Sequence, residues 1–319
     1  MDTTELPSRA SRKDRSVATT LDTRPTRKDA RPAETPPRRR HVRLRELGGL
    51  TLAQAFVIVF LVVTLAPFAW TLLTSFKPND EVMAYPPVLF PTEWTLDNYT
   101  SILIDGDFFL YTFNSLFVGL LSVLLSVGAA LCAGYAAARL DFAFKQTILF
   151  VILAGMAIGR FANIIPLYFF SVQLDLYDTY AILVLSSSAF IVPLLTWLMA
   201  AYFRSIPRAL DDAARIDGCN SWTIFWRILL PNMKPAIVAG GIIAMVNAWN
   251  EYILAATLTN SPERRVLPVA INFFLTDTGV QWGQLTAAAI VATIPIAVMV
   301  LALQRYFIQG LTAGALSAN

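Results

Sequence analysis

The sequence predicts an all-α membrane protein with six transmembrane helices, and three observations support this fold class. Of its 319 residues, 56% are hydrophobic, whereas ordinary soluble domains are about 45–50% apolar. Basic and acidic loops alternate along the chain. Six apolar stretches each exceed the roughly 20 residues that a helix needs to cross the hydrocarbon of a bilayer. They lie near residues 51–76, 109–138, 144–170, 179–202, 235–258 and 284–308.

The N-terminal segment is basic and almost free of large apolar residues. Of the 25 Lys and Arg residues of the chain, 13 lie before residue 46. Such a segment cannot bury enough surface to fold, so we expect residues 1–46 to form a disordered tail. Basic segments beside a membrane span typically contact anionic lipid, so we expect lipid contact and no nucleic-acid partner.

The distribution of Lys and Arg predicts the orientation of the spans. The basic tail, a short loop with Arg139 and Lys145, and the basic segment 205–231 alternate to one side, whereas acidic loops alternate to the other. We therefore expect both termini and segment 205–231 to be cytoplasmic. The predicted parts are a cytoplasmic tail (1–46), a first span with an extracytoplasmic loop (47–108), a five-helix domain (109–305) and a cytoplasmic C-terminal tail (306–319).

Several function classes are disfavoured by composition. The cysteines, Cys132 and Cys219, form no disulfide framework, and His41 is the single histidine. A His-based metal site or catalytic triad is therefore not expected. The sequence contains no G-x-x-x-x-G-K-[ST] phosphate loop, so we do not expect this chain to hydrolyse ATP by that route.

Segment 205–231 is polar and charged, although it lies between two long apolar stretches. Gly218 is typical of a helix stop, because the left-handed conformation that ends many helices costs glycine least. Asn220 or Ser221 can cap a second short helix, which Pro231 would end or kink. The segment predicts two short helices joined at a glycine.

The same segment carries a motif. Its residues Asp212-Ala-Ala-x-Ile-Asp-Gly218, followed by Phe225, Ile228 and Leu230-Pro231, resemble the cytoplasmic coupling loop of ABC-importer permeases, the "EAA" loop. The leading Glu of the family is Asp212 here, which keeps the carboxylate on a shorter side chain. The resemblance implies a type I ABC importer permease fold with cytoplasmic coupling helices. It implies ATPase-coupling roles for Asp212, Ala213, Ala214, Ile216, Asp217 and Gly218.

Further motifs resemble the carbohydrate-uptake, maltose permease G-like subgroup of these permeases. They are Asn114-Ser115, Ile165-Pro-Leu-Tyr168, Leu176-Tyr-Asp-Thr179, Trp249-Asn-Glu-Tyr252 and Gly310-Leu-Thr-Ala-Gly314. The subgroup's usual final Lys-Gly is absent.

This resemblance implies a non-enzymatic subunit in the bacterial plasma membrane that imports a sugar or related polyhydroxy solute. The implied partners are a second homologous permease, two ATP-binding subunits and an extracytoplasmic solute-binding protein. ATP and Mg would reside on the ATP-binding subunits, with no cofactor on this chain.

Polar residues inside the apolar stretches are candidates for a substrate path. Asn247, Trp249, Asn250 and Glu251 lie in the fifth stretch, and Arg160 lies in the third. A Trp ring can stack on a sugar face while amide and carboxylate groups bind hydroxyls. The alternative is structural, since intramembrane charges usually pair with one another, and Arg160 could pair with Glu251.

Three other functions remain open at this stage. The chain could be an ABC permease for a non-sugar solute such as glycerol phosphate, an ion-coupled secondary transporter, or a membrane receptor or scaffold. A secondary transporter would show inverted repeats and broken helices at mid-membrane. The hydropathy pattern shows neither feature clearly.

Overall fold

A computed structural model of the chain describes the backbone of residues 44–276 and 279–316. Residues 1–43, which make up most of the predicted basic tail, lie outside these ranges. The chain divides into two compact units, Met1–Ile58 and Val59–Asn319. In the first unit, the described residues form the beginning of the first helix.

The described residues are mostly helical. The long helices are α1 (Leu44–Ser75), α4 (Phe108–Arg139), α7 (Tyr180–Ser205), α11 (Lys234–Trp249) and α14 (Trp282–Leu316). The helices of intermediate length are α5 (Lys145–Ala154), α6 (Arg160–Gln173) and α8 (Ala209–Ile216). The short α-helices are α2 (Asn79–Val82), α3 (Asp97–Thr100), α9 (Ser221–Thr223), α10 (Leu230–Asn232), α12 (Ile253–Leu258) and α13 (Leu267–Asn272). Single π-helical stretches span Ser101–Asp105 and Ile224–Leu229, 3-10 turns span Gly155–Ala157 and Pro262–Arg264, and strands β1 (Leu275–Thr276) and β2 (Gly279–Val280) form an antiparallel hairpin.

Four helices in the described part of the chain are long and apolar enough to cross a membrane. They are residues 51–75 of α1, the whole of α4 and α7, and residues 282–304 of α14. These four correspond to the first, second, fourth and sixth predicted spans. The prediction of a helical membrane protein is confirmed.

The third and fifth predicted spans are broken. The third consists of α5, the turn Gly155–Ala157 and then α6, which begins at Arg160 after the extended residue Gly159. In the fifth, α11 ends at Trp249 and α12 begins at Ile253. The prediction of six transmembrane helices therefore corresponds to four single helices, while the third and fifth predicted stretches are each divided into two helices. Hydropathy averages side-chain polarity and does not report where backbone hydrogen bonding stops, so it missed both breaks.

Helices α4 and α7 pack closely because small residues line their seam. A Cβ atom added at Gly134 of α4 would lie 2.7 Å from the Cβ of Met199 on α7. Gly240 brings α11 equally close, since a Cβ there would meet the Met199 methyl at 2.6 Å. Lipid tails are as apolar as Leu, so association of membrane helices depends on such close van der Waals contact. Gly128 of α4, in contrast, faces open space.

At the opposite end of α4 from Arg139, two polar side chains hold the connection that leads into α13. Asn114 donates from Nδ2 to the carbonyl oxygens of Glu263 and Arg265, at 2.8 Å each. Ser115 accepts a 2.7 Å bond from the amide of Leu267 at Oγ. Buried polar groups cost free energy unless they are hydrogen-bonded. These bonds satisfy two buried side chains and fix the loop at the same time.

Asp178 binds the same connection from the loop before α7. Its carboxylate accepts bonds from the amides of Asn260 (2.9 Å) and Ser261 (3.1 Å) and from the Ser261 hydroxyl, and it lies 3.7 Å from Arg264 Nη1. Partial burial acts to raise the pKa of Asp178. The hydrogen bonds from Ser261 and Asn260 and the charge of Arg264 outweigh that effect, so the pKa lies below its ordinary value.

We predict that Gly134→Ala destabilises the protein, because the new methyl group would overlap Met199 unless α4 and α7 separate. Overpacking of this kind costs about 1–3 kcal/mol. The measurement is the midpoint of thermal unfolding in detergent or nanodiscs. Gly128→Ala is the matched control on the same helix, because no atom lies within 4 Å of its added Cβ. Equal midpoints for the two variants would contradict the close seam.

We also predict that Asp178→Asn lowers stability at neutral pH, because Asn keeps the acceptor oxygen but loses the charge. A carboxylate with a depressed folded pKa stabilises the fold above its unfolded pKa of about 3.9. This stabilisation is lost as the pH falls through the lower, folded value. Unfolding midpoints of wild type and variant should therefore differ at pH 7 and converge below about pH 4.

Asp175→Asn is the control for this experiment. Asp175 and Asp178 share a left-handed backbone, with φ of 56° and 57°, so both substitutions make the same backbone demand. Asp175 is exposed, and we expect its variant to follow wild type at every pH. A difference for Asp178→Asn that persists unchanged in acid would refute the electrostatic account.

Candidate functional site: the coupling helices and a cavity at a helix break

Helix α8 is amphipathic. Asp211 and Ala214, three residues apart and therefore on one face, are buried against the rest of the protein. The outward residues include Ile216, whose surface is 87% exposed. The six predicted coupling residues are distributed as follows: Ala214 is buried, and Asp212, Ala213, Ile216, Asp217 and Gly218 are exposed.

The end of α8 follows from its local sequence. Gly218 has φ of +82°, and the amide of the next residue, Cys219, bonds back to the carbonyl of Ala214 at 2.9 Å. This is the Schellman arrangement that ends many helices at a glycine. Asn220 then caps the next helix by accepting a 2.8 Å bond from the amide of Thr223. The two predicted short helices and their glycine junction are confirmed.

The second half of segment 205–231 is steeply inclined to α11. The helical residues Ser221–Asn232 are bent by 76° relative to α11. Their buried face includes Phe225, whose ring centroid lies 5.1 Å from Tyr135 of α4 and 6.2 Å from Phe203 of α7. The segment is therefore packed onto the two helices that form the central seam.

Arg139 and Asp211 meet beneath α8, and sequence reasoning did not select either as a site residue. Arg139 Nε lies 2.8 Å from Asp211 Oδ2. Each residue is a charged side chain at the end of a predicted helix, which is a weak signal. The two lie far apart in the sequence, so no local pattern predicts that they pair.

A cavity of about 420 Å³ opens where α11 ends, and this volume is within the usual range for small-molecule sites. Trp249 and Asn250 contribute to its wall from the break in the fifth span. The remaining lining residues come from α13 and α14: Leu267, Pro268, Ile271, Ala289, Ala292, Thr293 and Ile296. The wall is largely apolar, and Asn250 and Thr293 contribute polar side chains to it.

Glu251 and Arg160 do not line this cavity. Arg160 Nε lies 3.3 Å from Glu251 Oε2, with the two side chains 35% and 5% exposed. Glu251 Oε1 also accepts a 3.1 Å bond from the amide of Leu254, in the first turn of α12. The Glu251 carboxylate therefore caps α12, which follows the break in the fifth span. It also pairs with Arg160, the first residue of α6, which follows the break in the third span.

Asn247 lies one turn of α11 before the break. Its Oδ1 is buried and has no hydrogen-bond partner in the part of the chain that the structure describes. A buried polar atom without a partner costs free energy. Asn247 is not among the residues that line the cavity.

Comparison with known proteins identifies the family. Residues 129–313 match the family of binding-protein-dependent transport system inner membrane components. The chain belongs to this family. It is therefore a multi-pass permease subunit of an ABC importer, as the motifs of segment 205–231 predicted.

Two relatives illustrate the similarity. The sulfoquinovosyl glycerol transport system permease protein SmoH of Agrobacterium fabrum is 34% identical over 258 residues, which are 81% of this chain and 90% of that protein. The trehalose/maltose transport system permease protein MalG of Thermococcus litoralis is 32% identical over 265 residues, covering 82% and 95% of the two chains.

A solved structure shares the fold. A crystal structure of a bacterial ABC transporter involved in the import of the acidic polysaccharide alginate contains a chain that aligns with a TM-score of 0.71. The aligned residues are 23% identical and cover 83% of this chain and 98% of that chain.

We predict that Glu251→Gln destabilises the permease and that Arg160→Gln added to it restores part of the loss. The single variant leaves Arg160 without its counter-charge in a partly buried site, and breaking one partner of such a pair is the costly step. Unfolding midpoints of the single and double variants in nanodiscs form a double-mutant cycle that measures the interaction. Additive losses would show that the two side chains do not act as a pair.

Proposed function

We propose that this chain forms half of the translocation path of an ATP-driven, binding-protein-dependent importer for a sugar or related polyhydroxy solute. It pairs with a second homologous permease, two ATP-binding subunits and an extracytoplasmic solute-binding protein. ATP and Mg bind the ATP-binding subunits and not this chain. Both termini and the coupling helices face the cytoplasm, and the membrane is the bacterial plasma membrane.

The exposed face of α8 is the observation that supports this proposal most directly. Ile216 is a large apolar side chain that is 87% exposed, at the tip of a helix whose other face is packed onto the bundle. Asp212 is also exposed, and its Oδ1 lies 3.9 Å from Arg215 Nη1. An apolar tip beside a carboxylate suits a protein groove that offers an apolar floor and a basic group. We assign that groove to the ATP-binding subunit.

The cavity at the break in the fifth span supports a polyhydroxy solute. Trp249 provides an aromatic ring, and Asn250 and Thr293 provide polar groups, in one wall. The relatives named above transport sulfoquinovosyl glycerol and trehalose or maltose, and others are the arabinooligosaccharide permease AraQ and the diacetylchitobiose permease NgcG. We propose Trp249, Asn250 and Asn247 as the substrate-path residues of this chain, with Glu251 and Arg160 as its structural support.

Co-purification and vesicle uptake test the proposal. A tagged chain, expressed with its neighbouring genes, should bring a phosphate-loop ATPase and a homologous permease through purification. Vesicles containing that complex and the solute-binding protein should accumulate at least one labelled sugar from a panel of disaccharides and oligosaccharides when ATP is inside. Uptake of glycerol phosphate alone would favour the non-sugar permease, and uptake that follows an ion gradient without ATP would favour a secondary transporter.

We predict that Gly218→Val uncouples ATP hydrolysis from transport, whereas Gly218→Asn is much milder. Gly218 requires a positive φ, which β-branched residues disfavour strongly and Asn tolerates. No atom lies within 4 Å of an added Cβ, so the effect of Val comes from the backbone and not from a clash. The measurement is labelled sugar accumulated per ATP hydrolysed in vesicles. A Val variant that transports as efficiently as the Asn variant would remove the glycine junction from the mechanism.

A further inference from the structure

Arg139 joins three elements at the coupling end of the helices. It is the last residue of α4, and its Nε lies 2.8 Å from Asp211 Oδ2 in the first turn of α8. Its Nη2 donates a 2.8 Å bond to the carbonyl of Ile206, the residue that follows α7. The side chains of Arg139 and Asp211 are only 5% and 10% exposed. One guanidinium therefore joins the ends of α4 and α7 to the beginning of α8.

Each of these contacts is electrostatically favourable. The C-terminal ends of α4 and α7 carry partial negative charge, which attracts the cation, and the first turn of α8 carries partial positive charge, which attracts the carboxylate of Asp211. The contact with Ile206 is a hydrogen bond from a charged donor, which is stronger than a neutral one, and the contact with Asp211 is an ion pair. Burial keeps water from competing for either group.

Besides this contact, α8 is held by the packing of Ala214 in the core and by its two backbone connections. Ile206 precedes it in an extended conformation, with ψ of 124°, and Gly218 follows it with a positive φ. Neither connection is helical, so each can change direction more easily than a helix can. Asp211 is buried, whereas its neighbour Asp212 is exposed.

We propose that Arg139 and Asp211 are positioning residues that make α8 move as one rigid body with α4 and α7. A displacement of α8 is then transmitted to the helix bundle and is not absorbed by rotation at Ile206 and Gly218. This inference rests on the proposed function, because the displacement is assigned to the ATP-binding subunit. It adds two residues outside the family-like motif to the coupling machinery.

Spin-label distances in the purified complex in nanodiscs test the rigid body. One label is placed on the native Cys132 of α4 and the other on Arg215→Cys of α8, with Cys219→Ser to remove the second native thiol. We expect one narrow distance that is the same without nucleotide and after trapping with ATP and vanadate. With Arg139→Gln added, we expect the distribution to broaden and to shift on trapping.

Transport efficiency is the readout that a purely structural role would not move. We expect Arg139→Gln to lower sugar accumulated per ATP hydrolysed by roughly 5- to 150-fold, the usual range of coupling between sites, in complexes that retain the ATPase. Asp211→Asn and the double variant should show the same loss, because residues that act as one unit are not additive. Arg139→Lys, which keeps the charge, should recover part of the efficiency. The probe is the sugar that the parent complex accumulates.

Asp141→Asn is the matched control. It removes an exposed carboxylate, paired with Lys145 at 3.6 Å, two residues beyond Arg139, and should change neither the distances nor the efficiency. The proposal is overturned if Arg139→Gln keeps the narrow, unchanged distance of the parent, or if the parent distance itself shifts on trapping. It is also overturned if the losses of transport efficiency in Arg139→Gln and Asp211→Asn are additive. A parent complex without ATP-driven uptake would instead refute the proposed function, while the nucleotide-free distance widths still decide whether Arg139 holds α8.

Discussion

Inside a bilayer, a backbone group that leaves its helix has no water to bind, so every place where a helix stops needs a protein partner. In this permease, charged side chains meet that requirement at the breaks in the third and fifth spans. Glu251 caps α12 and holds Arg160 where two broken spans meet. A similar arrangement lies at the end of the spans, where Arg139 donates to the carbonyl of Ile206 and pairs with Asp211 at the junction of α4, α7 and α8. Both arrangements place a cation where a chain direction changes.

This constraint explains why the cavity lies where it does. If α11 continued through the fifth span, its backbone would be fully bonded and its side chains would face neighbouring helices. Because the helix stops at Trp249, the following residues turn aside and leave space against α13 and α14. The ion pair of Glu251 lies beside this space and not in it. The polar groups that support the break are thus distinct from the groups available to a solute, although they are adjacent in sequence.

The sequence predicted those features that depend on a few neighbouring residues. The Gly218 stop and the Asn220 cap follow from local backbone preferences, and both are present. The apolar stretches gave the membrane-protein class because composition over 20 residues is enough for that inference. The candidate residues Trp249 and Asn250 were found because polar groups in an apolar stretch are conspicuous.

The remaining features depend on residues far apart in the chain. Arg139 and Asp211 form one ion pair, yet each by itself reads as an ordinary charge at a helix end. The breaks at Gly159 and Asn250 lie within stretches that are apolar on average, and the contact between Arg160 and Glu251 that joins them links residues far apart in the chain. For the same reason, the absence of a visible break could not count against a secondary transporter. Family membership, and not hydropathy, decides that question.

Side-chain bonds at both ends of α4 and α7 connect this helix pair to α8 and to the connection before α13. At one end, Asn114 of α4 and Asp178 before α7 hold the connection that leads into α13, which lines the cavity. At the other end, Arg139 holds α8. Between them the helices approach closely at Gly134, and α4 alone spans about 48 Å at 1.5 Å per residue. Close-packed helices resist bending because their interiors have little free volume. A movement imposed on α8 therefore reaches the cavity wall through the displacement of a stiff helix pair, provided that the bonds at both ends of that pair hold.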